Sequence, residues 1–187
     1  MKVDGKESKK VSYYAGIGSR ETPRHICDIM TRIAINLSKK EFILRSGHAA
    51  GADEAFERGA LKKSEIYMPW KNFRLGKYKN DNGFEMLGTE VLSTEKELDI
   101  AWDKVCSICE IKNQSSYSKG AKNLIARDYF QIAGKNNHLS KFVVCWTKDG
   151  KASGGTGYAI KIALHYKIPI YNMFYDEVTK RILENLT

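Results

Sequence analysis

YYAGIGSRETP, residues 13–23, carries an apolar run into a helix start across two glycines, a serine and an arginine. The residues leading in, Val11-Ser12-Tyr13-Tyr14-Ala15, are β-branched and aromatic enough for a buried strand. Thr22-Pro23 reads as an N-cap followed by proline at the first helical position. Gly16, Gly18, Ser19 and Arg20 therefore occupy a strand-to-helix turn. Such a turn leaves backbone N–H groups unpaired beside the positive end of a helix, which favours an anion, and glycine lets that anion approach closely. The expected ligand group is phosphate.

The same alternation recurs along the chain. Strand-like runs fall at 11–16, 42–46, 65–69, 141–146 and 168–172. Between them, Ile26, Ile29, Ile33 and Leu37, and later Tyr158, Ile162 and Tyr166, recur at helical spacing. A further helix is expected at 119–134. Right-handed βαβ units follow, giving a Rossmann-like three-layer α/β/α domain with a mostly parallel central sheet of about five or more strands. Residues 1–10, MKVDGKESKK, read as a flexible basic tail, and 11–187 as a single domain. The interval 71–117 is the least regular; it is expected to hold a helical insertion or a flap over the sheet's rim.

Two more turns resemble the first in composition. Ser46-Gly47-His48-Ala49-Ala50-Gly51-Ala52-Asp53 follows the second strand, and Ser153-Gly154-Gly155-Thr156-Gly157 follows the 141–146 strand. In an open parallel sheet such turns line one rim, where ligands bind at the switch in strand order. The first turn is not a dinucleotide fingerprint, because Glu21 stands where G-x-G-x-x-G needs its third glycine. No G-x-x-x-x-G-K-[ST] segment is present either. A Rossmann-bound NAD and a Walker ATPase are both disfavoured, and no cofactor is expected.

Of 187 residues, 31 are Lys or Arg against 22 Asp or Glu, a formal charge of +9 that favours phosphorylated partners. The composition is that of a soluble globular protein, and neither a secretory signal nor a membrane partner is expected. Cys106-Ser107-Ile108-Cys109 has the spacing of a metal or redox motif, but no second pair completes a zinc site. The four cysteines read as reduced thiols of a cytoplasmic protein.

"GIGSR", "SGHAAGADEAFERGA" and "SGGTGYAIKIALHYKIPIYNM", in that order, resemble the SLOG superfamily, specifically the Rossmann-like DprA/Smf group of DNA-processing proteins and their compact phage relatives. The resemblance covers most of 11–173. It implies a pocket for nucleotide or DNA phosphate built from Gly18, Ser19, Arg20, Ser46, Gly47, Gly51 and Asp53, in the host cytoplasm if the chain is phage-encoded. The superfamily includes DNA binders, nucleotide sensors and nucleoside-phosphate N-glycosidases. The lonely-guy phosphoribohydrolases read G-G-x-G-T-x-x-E at the third loop; here Lys161 follows Gly154-Gly155-Thr156-Gly157-Tyr158-Ala159-Ile160, so their mechanism does not transfer.

Arg20 can grip phosphate as a fork, with Ser19 donating its hydroxyl, or pair with Glu21 or Glu57. Asp53 serves its helix start, a ribose hydroxyl, or acid–base chemistry. His48 is a ligand hydrogen-bonder or simply exposed. Lys119, Asn123 and Arg127 recur four apart as a second anion clamp or a solvated face, with Asp128 beside them. Trp70, Trp102 and Trp146 are packing residues or base-stackers, Trp70 being the best placed for a ligand. Three functions remain open. One is a binder of free nucleotide or single-stranded DNA backbone through Gly16, Gly18, Ser19, Arg20, Ser46, Gly47, His48, Gly51, Asp53, Asn123, Arg127, Gly154, Gly155 and Thr156. The second is an N-glycosidase using Asp53, Asp128 or Glu54. The third is a sequence-independent DNA-binding recombination accessory, with the Lys71–Lys79 loop as its basic surface. Further copies of the chain are also candidate partners.

Overall fold

The computed structural model describes residues 11–74 and 87–185. The basic tail at 1–10 and most of the loop running to Lys79 lie outside the described residues. In chain order the elements are β1 (Ser12–Gly18), α1 (Arg24–Lys39), β2 (Phe42–Ser46), α2 (Ala52–Ala60), β3 (Ser64–Met68), β4 (Thr89–Leu92), α3 (Glu95–Cys109), α4 (Lys119–Ala133), β5 (Val143–Trp146), α5 (Gly154–His165), β6 (Ile170–Asn172) and α6 (Asp176–Glu184). All six strands are parallel, in the order β4-β3-β2-β1-β5-β6. The order reverses between β1 and β5, so the crevice outside their carboxyl ends is the switch point.

Alternation along β1 divides the core. Tyr14 faces α1 and α2 with Leu44, Phe56 and Val144, whereas Ala15 and Ile17 face α3, α4 and α5 with Val143 and Cys145. Gly16 belongs to the first face. A Cβ there would lie 2.6 Å from Phe56 Cγ, so this residue is small to let α2 pack onto the strand. Both faces of the sheet are therefore covered, as a parallel sheet requires.

Several local expectations change. Pro23, not Thr22, holds the cap position of α1, without a side-chain cap; the Thr22 hydroxyl instead donates to Ser19 O at 2.7 Å. The described part of 71–117 supplies β4 and α3. Thr94 and Glu97 close a capping box at the start of α3. On α5, Ile160 and Ala163 are buried whereas Leu164 is 61% exposed. All four cysteines are free thiols. No helix among the described residues is long and apolar enough to cross a membrane.

Candidate functional site

The β1–α1 turn is held from three sides. Ser19 N–H donates to Trp146 O at 3.1 Å, and Ser19 O accepts from the N–H groups of Thr22 and Ala52. The turn is thereby fastened to β5 and to α2. Gly51, with φ +81°, allows the close approach of α2: a Cβ would stand 2.6 Å from Ser19 O. Arg20 is exposed and makes no ion pair among the described residues. The two carboxylates weighed as its partners are engaged elsewhere, Glu21 with Lys148 at 3.0 Å and Glu57 with His48 at 2.7 Å.

Opposite this turn is the start of α5. Ser153 caps no N–H, because its hydroxyl donates to Asp149 Oδ1 at 2.9 Å. The N–H groups of Gly154, Gly155 and Thr156 make no hydrogen bond among the described residues, and they lie at the helix's positive end. Between the two loops is a cleft of about 450 Å³ whose walls include Gly18, Ser19, Arg20, Gly154, Gly155 and Thr156.

The floor of this cleft is ionisable and buried. Asp53 is 3% exposed and accepts from Ala49 N–H at 3.3 Å. Burial pushes its carboxyl up to about 7, against the pull of Arg127 and with a further push from Glu57. Asp128 is raised to about 6 by burial, opposed by a 3.0 Å hydrogen bond from Arg127. The Arg127 guanidinium also donates to Gly47 O. Its Nε is buried with no partner among the described residues. Oriented to satisfy its neighbours, the Gln131 amide accepts from Gly47 N–H at 2.7 Å and donates to Asp128 Oδ1 at 3.1 Å.

Gly16, Ser46, Gly47, His48, Gly51 and Asn123 do not line the cleft. Gly47 supports it instead, since a Cβ there would overlap the Arg127 guanidinium. His48, for which exposure was one alternative, is 1% exposed; its N–H and Nδ1 both meet the Glu57 carboxylate. The clamp of Lys119, Asn123 and Arg127 does not assemble: Lys119 pairs with Glu95, and Asn123 Nδ2 donates to Pro69 O at 3.4 Å. Glu54 pairs with Arg58 and also lies outside the cleft. Trp102 and Trp146 are buried, whereas Trp70 is 43% exposed and packs edge-on against Phe73. Gln131, Thr147 and Lys148 line the cleft without having been singled out. Gln131 lies one turn beyond Arg127, and Thr147 directly follows β5; both positions were legible as signals. Among the described residues no group of three His, Cys, Asp or Glu side chains could hold a metal ion.

The sequence matches no protein-family model and no curated protein. Among solved structures, the chain is similar to DNA processing protein A from Helicobacter pylori, described for its single-stranded DNA binding mode. The TM-score is 0.58 and the identity 17%, over 86% of this chain and 64% of that one. The chain thus spans just under two thirds of that protein's length, and the likeness is one of fold: the chain has a DprA-like, Rossmann-type α/β fold.

Proposed function

We propose that this chain binds the phosphate of a nucleotide, free or as a link in single-stranded DNA, in the cleft between the β1–α1 turn and α5. The observation that carries this reading is the facing of two donor sets across one cleft: the unpaired Arg20, and the uncommitted N–H groups of Gly154, Gly155 and Thr156. A phosphate between them accepts backbone N–H bonds on one side and a guanidinium fork on the other. The similarity to a single-stranded DNA-binding protein supports the polymer as ligand. In this reading the chain is a single SLOG-type, DprA/Smf-like domain acting in the cytoplasm.

Calorimetry with a panel of nucleoside monophosphates, and fluorescence anisotropy with oligo(dT), test it. Arg20→Ala should cost about 1.5–3 kcal/mol of binding, the worth of a charged hydrogen bond, with the fold intact. Affinity for oligo(dT) should fall steeply between about 50 mM and 200 mM salt if a phosphate chain is tracked, and much less if one nucleotide is held. Unchanged affinity in Arg20→Ala removes that residue from the site.

The two raised carboxyls favour a second reading, cleavage of an N-glycosidic bond. With Asp53 protonated near neutral pH and Asp128 ionised, one carboxyl can hand a proton to a departing base while the other stabilises positive charge developing on the ribose, which water then attacks. Chromatography of nucleotides incubated with the protein decides this; absence of free base and ribose phosphate across the panel rejects it.

A further inference from the structure

Beyond the cleft the carboxyl rim carries two aromatic side chains that the core does not use. Phe174 and Tyr175 lie just beyond β6, after the buried Met173, are each 41% exposed, and stand edge to face with centroids 5.3 Å apart. An exposed aromatic ring offers a π-face on which a flat ligand can stack.

Their placement relative to the cleft is fixed by Asn172, the last residue of β6. Its Nδ2 donates to Thr147 Oγ1 at 2.8 Å and to Gly150 O at 3.2 Å, while its Oδ1 accepts from Thr147 N–H and Phe174 N–H. One buried amide thus ties the loop that lines the cleft to the loop that bears the aromatics. Tyr175 Oη adds a hydrogen bond to Gly150 O at 3.3 Å. Gly150 has φ +71°, and a Cβ there would lie 2.6 Å from Phe174 Cδ1, so the 147–153 loop lies directly against both rings. This loop exposes Lys151 and Lys148, the latter in its surface ion pair with Glu21. Its one carboxylate, Asp149, is occupied by Lys151 N–H and the Ser153 hydroxyl.

We infer that Phe174 and Tyr175 form a stacking platform for the base of the nucleotide next to the one whose phosphate the cleft holds. This rests on the phosphate reading of the cleft. The polymer then crosses the 147–153 loop over Lys148 and Lys151, and the chain grips single-stranded nucleic acid at two successive positions. Stacking accepts any base, because every base has a π-face, so the platform confers preference for a single strand without sequence preference.

The test measures oligo(dT) of about twelve nucleotides, the same oligomer with abasic sites, and thymidine monophosphate. Replacing both residues, Phe174→Ala with Tyr175→Ala, should weaken oligo(dT) binding about tenfold or more, as loss of a base stack does, and leave the monophosphate within about twofold. The abasic oligomer should bind the wild type as weakly as oligo(dT) binds this variant. Tyr175→Phe, which keeps the ring and loses only the bond to Gly150, should bind oligo(dT) normally. If the double variant fails to fold, Phe174→Leu, which retains apolar bulk against Gly150, should still show the loss. Equal oligo(dT) affinity in wild type and aromatic variants, with Arg20→Ala losing both ligands, overturns the platform alone. Arg20→Ala losing neither overturns the cleft reading, and the two-position grip with it.

Discussion

Arg127 and Asp128, adjacent in the chain and both nearly sealed from water, are joined by a guanidinium–carboxylate hydrogen bond of 3.0 Å. The same guanidinium lowers the Asp53 carboxyl and holds the Gly47 carbonyl. It is thus the cation that makes two buried carboxyls tolerable beneath the cleft. Arg127→Met should destabilise the fold by about 3–5 kcal/mol near neutral pH, because it strands buried charge. Denaturant unfolding should show a smaller loss near pH 5, where the carboxyls take up protons, and partial recovery in Arg127→Met with Asp128→Asn. A loss that is the same at both pH values counts against this account.

The raised carboxyls also set the pH dependence of stability. Asp53 at about 7 and Asp128 at about 6 lie above the ordinary aspartate value of 3.8, so the folded state holds protons that the unfolded chain has released. Their contribution is fully present below the unfolded value and is lost as pH rises through about 6 and then about 7. Unfolding free energy should therefore decline between about pH 5 and pH 8, and Asp53→Asn should flatten the upper part of that decline. A wild-type curve that rises across this window refutes the assignment.

Much of this arrangement was legible from the sequence, and the failures have physical causes. β1, β2, β3, β5 and β6 are apolar runs because their side chains enter the core on both faces. β4, Thr89–Leu92, was not read because it is an edge strand whose residues are largely exposed, so no apolar pattern is imposed on it. The three small-residue turns were read as one rim, and two of them, with Asp53 at the end of the other, line the cleft. The burial of His48 was not legible because its partner, Glu57, lies in the second turn of the next helix, and only the folded loop brings them together. The union of Asp53 with Asp128 is a product of topology, α4 crossing the carboxyl end of β2, which local spacing does not reveal.

At the mouth of the cleft, Glu21 and Lys148 form an exposed ion pair between the β1–α1 and β5–α5 loops. Exposed pairs contribute little to stability, so Glu21→Gln should change unfolding free energy by less than about 1 kcal/mol. It also removes a negative charge from an anion's entrance and releases Lys148. Titration of the variant should show tighter binding of a nucleoside monophosphate, the gain shrinking as salt is added. Weaker binding in Glu21→Gln places the carboxylate on the ligand's side of the interaction.

The last prediction separates a glycine that shapes the site from one proposed to touch its ligand. In the third loop, the residue with positive φ is Gly154, at +61°, whereas Gly155 has ordinary helical backbone and open space where a Cβ would stand. Gly155→Val therefore meets neither strain nor overlap, and its melting temperature should remain close to wild type. Its side chain would nonetheless project into the space where a phosphate accepts the α5 N–H groups, so nucleotide affinity should be lost. Gly51→Ala is the contrasting variant. With φ +81° and a Cβ 2.6 Å from Ser19 O, it should lose about 1–3 kcal/mol of stability through backbone strain. Calorimetric melting and ligand titration on both proteins distinguish the roles. A Gly155→Val protein that binds a nucleotide as well as wild type would mean that the phosphate does not reach the start of α5.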